Sequence, residues 1–475
     1  MSRLIVVSNR VNPPADPGLG STGGLAMALA AALREYSGVW FGWSGETTEH
    51  FTGQIRMQRV GGVTIALVDL EEQDRLEYYN GYANKTLWPL FHYRTDLTSY
   101  ERSFDEGYAR VNRRFAETLV PLLEPDDLIW VHDYHLIPMA RELRKLGVKN
   151  RIGFFLHIPW PARRLLTTLP KHRALVETLF DYDVIGFQTE DNREAFEDYV
   201  IHEAHGSVAG PGRLTAFDHT VQVDSFPIGI DAQGFIEAAK SDEATQQFDR
   251  MQTSLAGRRM VLGVDRLDYS KGLEERFLAY EQFLIDHPEQ QEDVFLLQIA
   301  TPSRDEVEAY QEIRHRLDGV AGRINGEFAT VDWVPIRYVN RGYRRDQLAG
   351  IYRAADVALV TPLRDGMNLV AKEFVAAQDP EDPGVLILSR FAGAADQMTD
   401  AVLVNPFSRE DMSDAIRRAL AMPLTKRRMR WERLLEGVKR DDVNAWRDRF
   451  VAALRGPPPE AANGDKPEDG HQAVA

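Results

Sequence analysis

Ten short apolar runs, each closed by polar residues, constrain this chain more than any other feature. They are LIVVS (4–8), VTIALVDL (63–70), DLIWVHD (127–133), RIGFFLHIP (151–159), DVIGFQT (183–189), MVLGVDRLD (260–268), VFLLQIATP (294–302), DVALVTPL (356–363), GVLILSR (384–390) and AVLVNP (401–406). Their apolar residues run on almost without a break instead of alternating with polar ones. That is the pattern of strands in a parallel sheet, covered on both faces. Helical patterns lie between many of them: GLAMALAAALREY (24–36), LIPMARELRKLG (136–147), LEERFLAYEQFLIDH (273–287) and RDQLAGIYRAA (345–355). Strand and helix in alternation predict an α/β fold with right-handed crossovers.

The runs fall into two groups. With 475 residues to distribute, this predicts two doubly wound domains. SFPIGIDAQGF (225–235) marks the join, because Pro227 and Gly229 interrupt regular structure there. The stretch 456–475, rich in Pro, Gly and acidic residues, reads as a disordered tail. No internal repeat is found. The chain has no cysteine, which excludes disulfides, thiolate metal sites and a cysteine nucleophile, and fits a reducing cytoplasm. The apolar run Leu4 to Val7 is too short for a signal-peptide core. No stretch reaches the ~20 apolar residues of a membrane helix. A soluble, cytoplasmic protein is expected, with no membrane partner. A net charge of −16 argues against non-specific nucleic-acid binding.

Against that acidic background, basic residues gather where the runs end. The first run ends in Asn9-Arg10, DLIWV in His132-Asp133, GFFL in His157, and VLGV in Asp265-Arg266 with Lys271 beyond. LLQIA leads to Arg304, and VALVTP to Arg364-Asp365. In open parallel sheets ligands bind beyond the carboxyl ends of the strands. Arginines and a lysine there predict a phosphate-binding cleft, since a guanidinium pairs with two oxygens at once. Gly18, Gly20, Gly23 and Gly24 precede one helical pattern and Gly366 another. A helix N-terminus with glycine before it can receive a phosphate, or the glycine can simply serve a turn. Glu373, eight residues past Asp365, would point toward the same end of its helix.

The motifs SNR (8–10), GG (23–24), YYN (78–80), WPLFHYR (88–94), WVHDYHL (130–136), FFLHIPWP (154–161), VDRLDYSKG (264–272), TPSR (301–304) and RDGMNLVAKE (364–373) resemble, in order, those of the trehalose-6-phosphate synthase family. These are retaining glycosyltransferases of family 20 with GT-B architecture. The resemblance implies two Rossmann-like domains across a deep cleft: an acceptor domain over 1–230 and a nucleotide-sugar domain over 231–440. It also implies a helix, 441–455, packing back on the first domain. The implied reaction moves glucose from UDP-glucose to glucose 6-phosphate. Arg10, Tyr79, Trp88, Asp133 and Arg304 would form the acceptor site. Gly23, Gly24, His157, Arg266, Lys271, Tyr343, Asp365, Asn368, Leu369, Val370 and Glu373 would form the donor site. Asp133, His157, Arg266, Lys271 and Asp365 would serve catalysis. No cofactor or essential metal is implied, and a homodimer or homotetramer is.

Other readings differ at stated points. A synthase using glycerol 3-phosphate and ADP-glucose would share the cationic clamp and differ in the acceptor pocket. A phosphorylase would need a lysine for pyridoxal phosphate, and no matching motif is present. A non-catalytic sugar-phosphate sensor would not need Arg266, Lys271, Asp365 and Glu373 together. Asp133 and Asp365 could instead be paired glycosidase carboxylates. His132, Asp133 and His135 could be metal ligands, but adjacent strand residues face opposite sides.

Overall fold

Strand β1 (Leu4–Arg10) lies inside the first sheet of the computed structural model, which describes residues 2–11, 29, 33, 38–304 and 306–456. From β1 the chain builds outward to β2 (Val39–Thr48) and then to β4 (Val63–Glu71), with β3 (Arg56–Val60) antiparallel on the edge. It then returns and builds the other way: β5 (Leu128–His132), β6 (Ile152–Phe155), β7 (Val184–Phe187) and β10 (His219–Ser225), all parallel. The hairpin of β8 (Ser207–Gly210) and β9 (Arg213–Ala216) closes that edge antiparallel.

The second sheet repeats the plan with six parallel strands. From β11 (Arg259–Arg266) it grows to β12 (Val294–Thr301) and β13 (Ile336–Val339), then turns back to β14 (Val357–Val360), β15 (Val385–Ser389) and β16 (Val402–Val404). The fold is α/β with two doubly wound sheets, as the apolar runs predicted and as the GT-B architecture implied by the resemblance requires. Strands β1, β5, β11 and β14 are buried along nearly their whole length, which explains why their sequences do not alternate.

The helix Arg102–Leu119 shows how a face is covered. Tyr108, Val111, Phe115, Ala116 and Leu119 recur at three- and four-residue spacing and are buried, while Arg102 and Glu106 pair on the exposed side. Phe115 meets Phe41 of β2 edge-on, with ring centroids 5.5 Å apart.

Several expectations shift in detail. The pattern 136–147 becomes a helix only over Met139–Lys145, because Pro138 holds its N-cap. The run 151–159 pairs as a strand only to Phe155, where the chain leaves the sheet. Strands β2, β3, β8, β9, β10 and β13 had no counterpart among the ten runs. Gly23, Gly24 and the tail from 457 lie outside the described residues, as does most of the helical pattern 24–36.

The chain crosses between the sheets twice. Residues 226–231 lead from β10 to the helix Ala232–Ala238, and Asp441-Asp442 lead back to the helix Val443–Arg455. That helix lies on the first sheet: Phe450 stacks on Trp130 at 4.5 Å, Trp446 lies 4.9 Å from the same ring, and Arg151 Nε donates to the Leu454 carbonyl at 2.5 Å. At the crossings, a Cβ on Gly229 would fall 2.2 Å from the Asp441 carbonyl, and Val443 N–H donates to the Ile230 carbonyl at 3.1 Å. Lys372 Nζ, buried, donates to the Ile228 carbonyl at 2.7 Å.

Candidate active site

Among the parallel strands of each sheet the order reverses once, and the crevice at such a point is where open parallel sheets take ligands. The reversals lie between β1 and β5 and between β11 and β14. Arg10 ends β1 and Asp133 follows β5; Arg266 ends β11 and Asp365 lies on the loop after β14. Four of the six polar strand ends singled out in the sequence therefore sit at the two reversal points.

Arg304, on the loop after β12, reaches from the second sheet into the first. Its guanidinium lies 3.9 Å from the centroid of the Trp88 ring, and that of Arg266 lies 5.4 Å from the same ring. Its Nη2 donates to the Tyr134 hydroxyl at 3.0 Å and its Nη1 to the Tyr310 hydroxyl. Arg10 joins this group through a line of rings. Its guanidinium lies 5.7 Å from Trp43, Trp43 meets Tyr79 at 5.6 Å, Tyr79 stacks on His135 at 5.9 Å, and His135 lies 3.9 Å from Tyr134. Tyr79 and Trp88 are carried by and just after a π-helical segment, Arg75–Leu87, a geometry often found at functional sites.

The Asp133 carboxylate accepts the His157 backbone N–H at 3.2 Å. Burial pushes its carboxyl up to about 6, against the pull of the Tyr134 and His157 amides and of Arg304 and Arg266. Asp133, Arg304 and Asn368 take φ values of +75°, +54° and +85°. Non-glycine residues in that region cost of order 1 kcal/mol or more each, and such strain persists only where neighbours impose it.

On the second sheet, Lys271 Nζ lies 2.5 Å from Asp365 Oδ2, which also accepts from Asn368 Nδ2 at 3.1 Å. Burial would raise the Asp365 carboxyl, but Lys271 holds it below the ordinary range. The Lys271 loop is braced from beneath. Arg276, fully buried, donates to Asp265 at 2.6 Å, to Gln298 at 2.8 Å and to the Lys271 carbonyl at 3.4 Å.

The helix Leu369–Ala377 starts at this pair, with Asn368 as its N-cap accepting the Ala371 N–H at 3.4 Å. The amides of Leu369 and Val370 are in the first turn, without intrahelical acceptors and at the positive end of the dipole. Glu373 accepts from the Tyr352 hydroxyl at 3.3 Å; burial raises its carboxyl, opposed by Arg345. Tyr343, on the loop after β13, packs half-buried on the same core as Leu369 and Val370, under Arg341 at 4.8 Å.

His157 is placed differently from a free ligand. Its Nε2 lies 3.0 Å from His132 Nδ1 and its Nδ1 lies 3.4 Å from Gln188 Nε2, while burial lowers it to about 3 and keeps it neutral. Both ring nitrogens are thus engaged inside the protein, so a sugar would meet its backbone or displace a partner. Gly366 also has a different use from the one its position suggested. A Cβ there would lie 2.0 Å from the His157 carbonyl, so the glycine lets backbone from the two sheets meet. Arg364 stacks on Tyr93 at 3.8 Å and spans the same seam.

Sequence reasoning passed over Tyr93, Tyr134, Asp268 and Tyr310. The first three lie inside the quoted motifs beside residues that were chosen. Tyr310 stands in the first turn of the helix Glu308–Phe328, where no local signal marks it. His92 was also passed over. Its Nδ1 lies 2.7 Å from the Trp88 carbonyl and so carries the proton, and its buried Nε2 has no partner among the described residues. Burial lowers this imidazole to about 4. Among the described residues no three His, Asp or Glu side chains group as a metal site would require.

The sequence matches the description "Glycosyltransferase family 20" over residues 12–456. It is 48% identical over 455 residues to the trehalose-6-phosphate synthase of Cronobacter sakazakii, covering 96% of this chain and 95% of that one. The structure superposes on the α,α-trehalose-phosphate synthase (UDP-forming) from Burkholderia xenovorans in complex with glucose-6-phosphate, with a TM-score of 0.92, 50% identity, and coverage of 96% and 100%. It superposes equally, with a TM-score of 0.92, on an E. coli structure bound with UDP-2-fluoro glucose, at 46% identity and coverage of 96% and 100%.

Proposed function

The chain belongs to glycosyltransferase family 20, and from that premise we propose how its cleft works. It is a retaining glucosyltransferase that moves glucose from UDP-glucose to the anomeric hydroxyl of glucose 6-phosphate, giving α,α-trehalose 6-phosphate and UDP. One observation carries the assignment of the site. Arg304 and Arg266, from two different strand ends of the second sheet, share the ring of Trp88 from the first. Cationic groups are gathered where two phosphorylated ligands have to meet.

In this reading Arg10 and Arg304 hold the phosphate of glucose 6-phosphate, with Tyr79 bonding to it and Trp88 as the pocket wall. Asp133, ionised above about pH 6, accepts from acceptor hydroxyls. Arg266 and Lys271 clamp the donor diphosphate, approached from the other domain by Gly23 and Gly24. The amides of Asn368, Leu369 and Val370 cap it. Asp365 binds glucose hydroxyls, Glu373 the ribose, and the Tyr343 backbone the uracil. His157 positions the donor glucose.

The donor C1–O bond breaks toward UDP while the acceptor oxygen bonds to the same face of C1. The acceptor proton passes to the departing phosphate oxygen. Arg266 and Lys271 stabilise the negative charge that develops there, the main catalytic effect at such preorganised sites. Asp133 and His157 contribute orientation.

Because these cations supply the charge, turnover is proposed to need no divalent ion and no cofactor. A cytoplasmic homo-oligomer, dimer or tetramer, is proposed, making trehalose for osmoprotection and stress. No helix among the described residues is long and apolar enough to cross a membrane.

A kinetic matrix tests the reading: UDP-, ADP- and GDP-glucose against glucose 6-phosphate and glycerol 3-phosphate, with and without EDTA. Turnover highest with UDP-glucose and glucose 6-phosphate, unaffected by EDTA, is the expected result. Preference for glycerol 3-phosphate would overturn the acceptor assignment.

A further inference from the structure

The loop from Arg266 to Lys271 carries three polar groups with different partners. Arg266 faces Trp88 and Lys271 faces Asp365, but Asp268 turns inward and is fully buried. A buried carboxylate persists only if it is paired and hydrogen-bonded. Asp268 Oδ1 accepts from the Ser270 N–H at 2.9 Å and from its hydroxyl at 2.8 Å. Oδ2 accepts from the Tyr310 hydroxyl at 2.9 Å and lies 3.6 Å from Arg304 Nη1.

A phenol has one proton to donate. Tyr310 gives it to Asp268, so its lone pairs face Arg304, whose Nη1 donates to them. A carboxylate this close to a phosphate-binding arginine repels a phosphate, so Asp268 is not there to attract one. What it can do is fix the guanidinium from one side, while Trp88 and Tyr134 fix it from the other.

We propose that Asp268 and Tyr310 are positioning residues that couple the two substrate sites. UDP on Lys271 and Arg266 holds in place the loop that carries Asp268; Asp268 orients Tyr310, and Tyr310 sets Arg304 for the acceptor phosphate. The proposal rests on the assignment of Lys271 to the diphosphate and Arg304 to glucose 6-phosphate. By linkage the coupling is reciprocal, each ligand tightening the other by the same factor.

Calorimetric titration of the full chain with glucose 6-phosphate, with and without saturating UDP, reads this factor without turnover. The wild type binds glucose 6-phosphate about ten-fold tighter when UDP is present, within the usual range of such couplings. In Tyr310→Phe the ratio falls toward one, while UDP alone binds with wild-type affinity, which shows that the fold and donor site survive. Asp268→Asn lowers the ratio too, and gives the same reading should the first variant not fold. A ratio that persists in both variants, or that is absent from the wild type, overturns the coupling. Failure of the wild type to bind UDP, or undiminished glucose 6-phosphate binding by Arg304→Ala, overturns the site assignment and this proposal with it.

Discussion

Lys271 Nζ lies 2.5 Å from Asp365 Oδ2, and the two side chains are only 11% and 14% exposed. Each neutralises the other before a substrate arrives. In the proposed site a nucleotide sugar would offer a diphosphate to the lysine and hydroxyl groups to the aspartate, so binding would replace one buried ion pair by two sets of contacts. Paired in this way, neither group is an isolated buried charge, which would be far more costly than a paired one.

Lys271→Ala is expected to lower kcat by about 10²–10³, the usual loss when one preorganised anion-stabilising donor is removed. It also strands Asp365. Thermal unfolding should therefore show Lys271→Ala less stable than wild type, and the Lys271→Ala/Asp365→Ala double variant recovering part of the loss.

Arg304→Lys keeps the charge but loses the planar fork that reaches Tyr134 and Tyr310 together. One hydrogen bond to a charged group is worth about 1.5–3 kcal/mol, so KM for glucose 6-phosphate should rise at least about ten-fold in steady-state assays of UDP release.

Asp133 makes a prediction about stability against pH. Its carboxyl is raised to about 6 in the folded chain and returns to its ordinary lower value on unfolding. Between those values the native state holds a proton that the unfolded state lacks, so stability falls as pH rises through about 4 to 6. At neutral pH the ionised group is a burden. Since Asp133 keeps some solvent contact, the effect is of order 1–3 kcal/mol. Urea unfolding should find Asp133→Asn more stable than wild type at pH 7.5 and nearly equal to it at pH 4, while its activity is lost.

Gly366→Ala places a methyl 2.0 Å from the His157 carbonyl. Relieving that clash separates the loops, and overpacking of this kind costs about 1–3 kcal/mol. The expected outcome is at least a roughly ten-fold fall in kcat, UDP binding retained, and less compaction in small-angle scattering when UDP and glucose 6-phosphate are added together.

Phe450 is fully buried against Trp130. Phe450→Ala should lose about 3–5 kcal/mol of stability in chemical unfolding, as for other large aromatic truncations in cores.

Much of this was legible in the sequence, for physical reasons that differ by element. The strands β1, β5, β11 and β14 are enclosed on both faces, so their sequences are unbroken apolar runs and their polar ends stand out. Strand β10 was not read because HTVQVDS alternates and one face is open. Strand β2 was not read because glycines break VWFGWSG. Arg10, Arg266 and Asp365 could be found because each is a local signal at a strand end. Tyr310 could not, because its role comes from contacts with Asp268 and Arg304, which the fold brings to it. The partners of His157 were hidden for the same reason: Gln188 and His132 come from neighbouring strands.

The outgoing and returning crossings, with Gly229 against Asp441 and Val443 bonded to Ile230, lie side by side. A lobe hung on one cord can both swing and spin; hung on two adjoining cords it can only swing. Any movement of one half of this enzyme against the other is therefore expected to turn about these paired segments. Such a turn would carry Arg304 to and from the Trp88 ring, 3.9 Å away in this structure, along one arc.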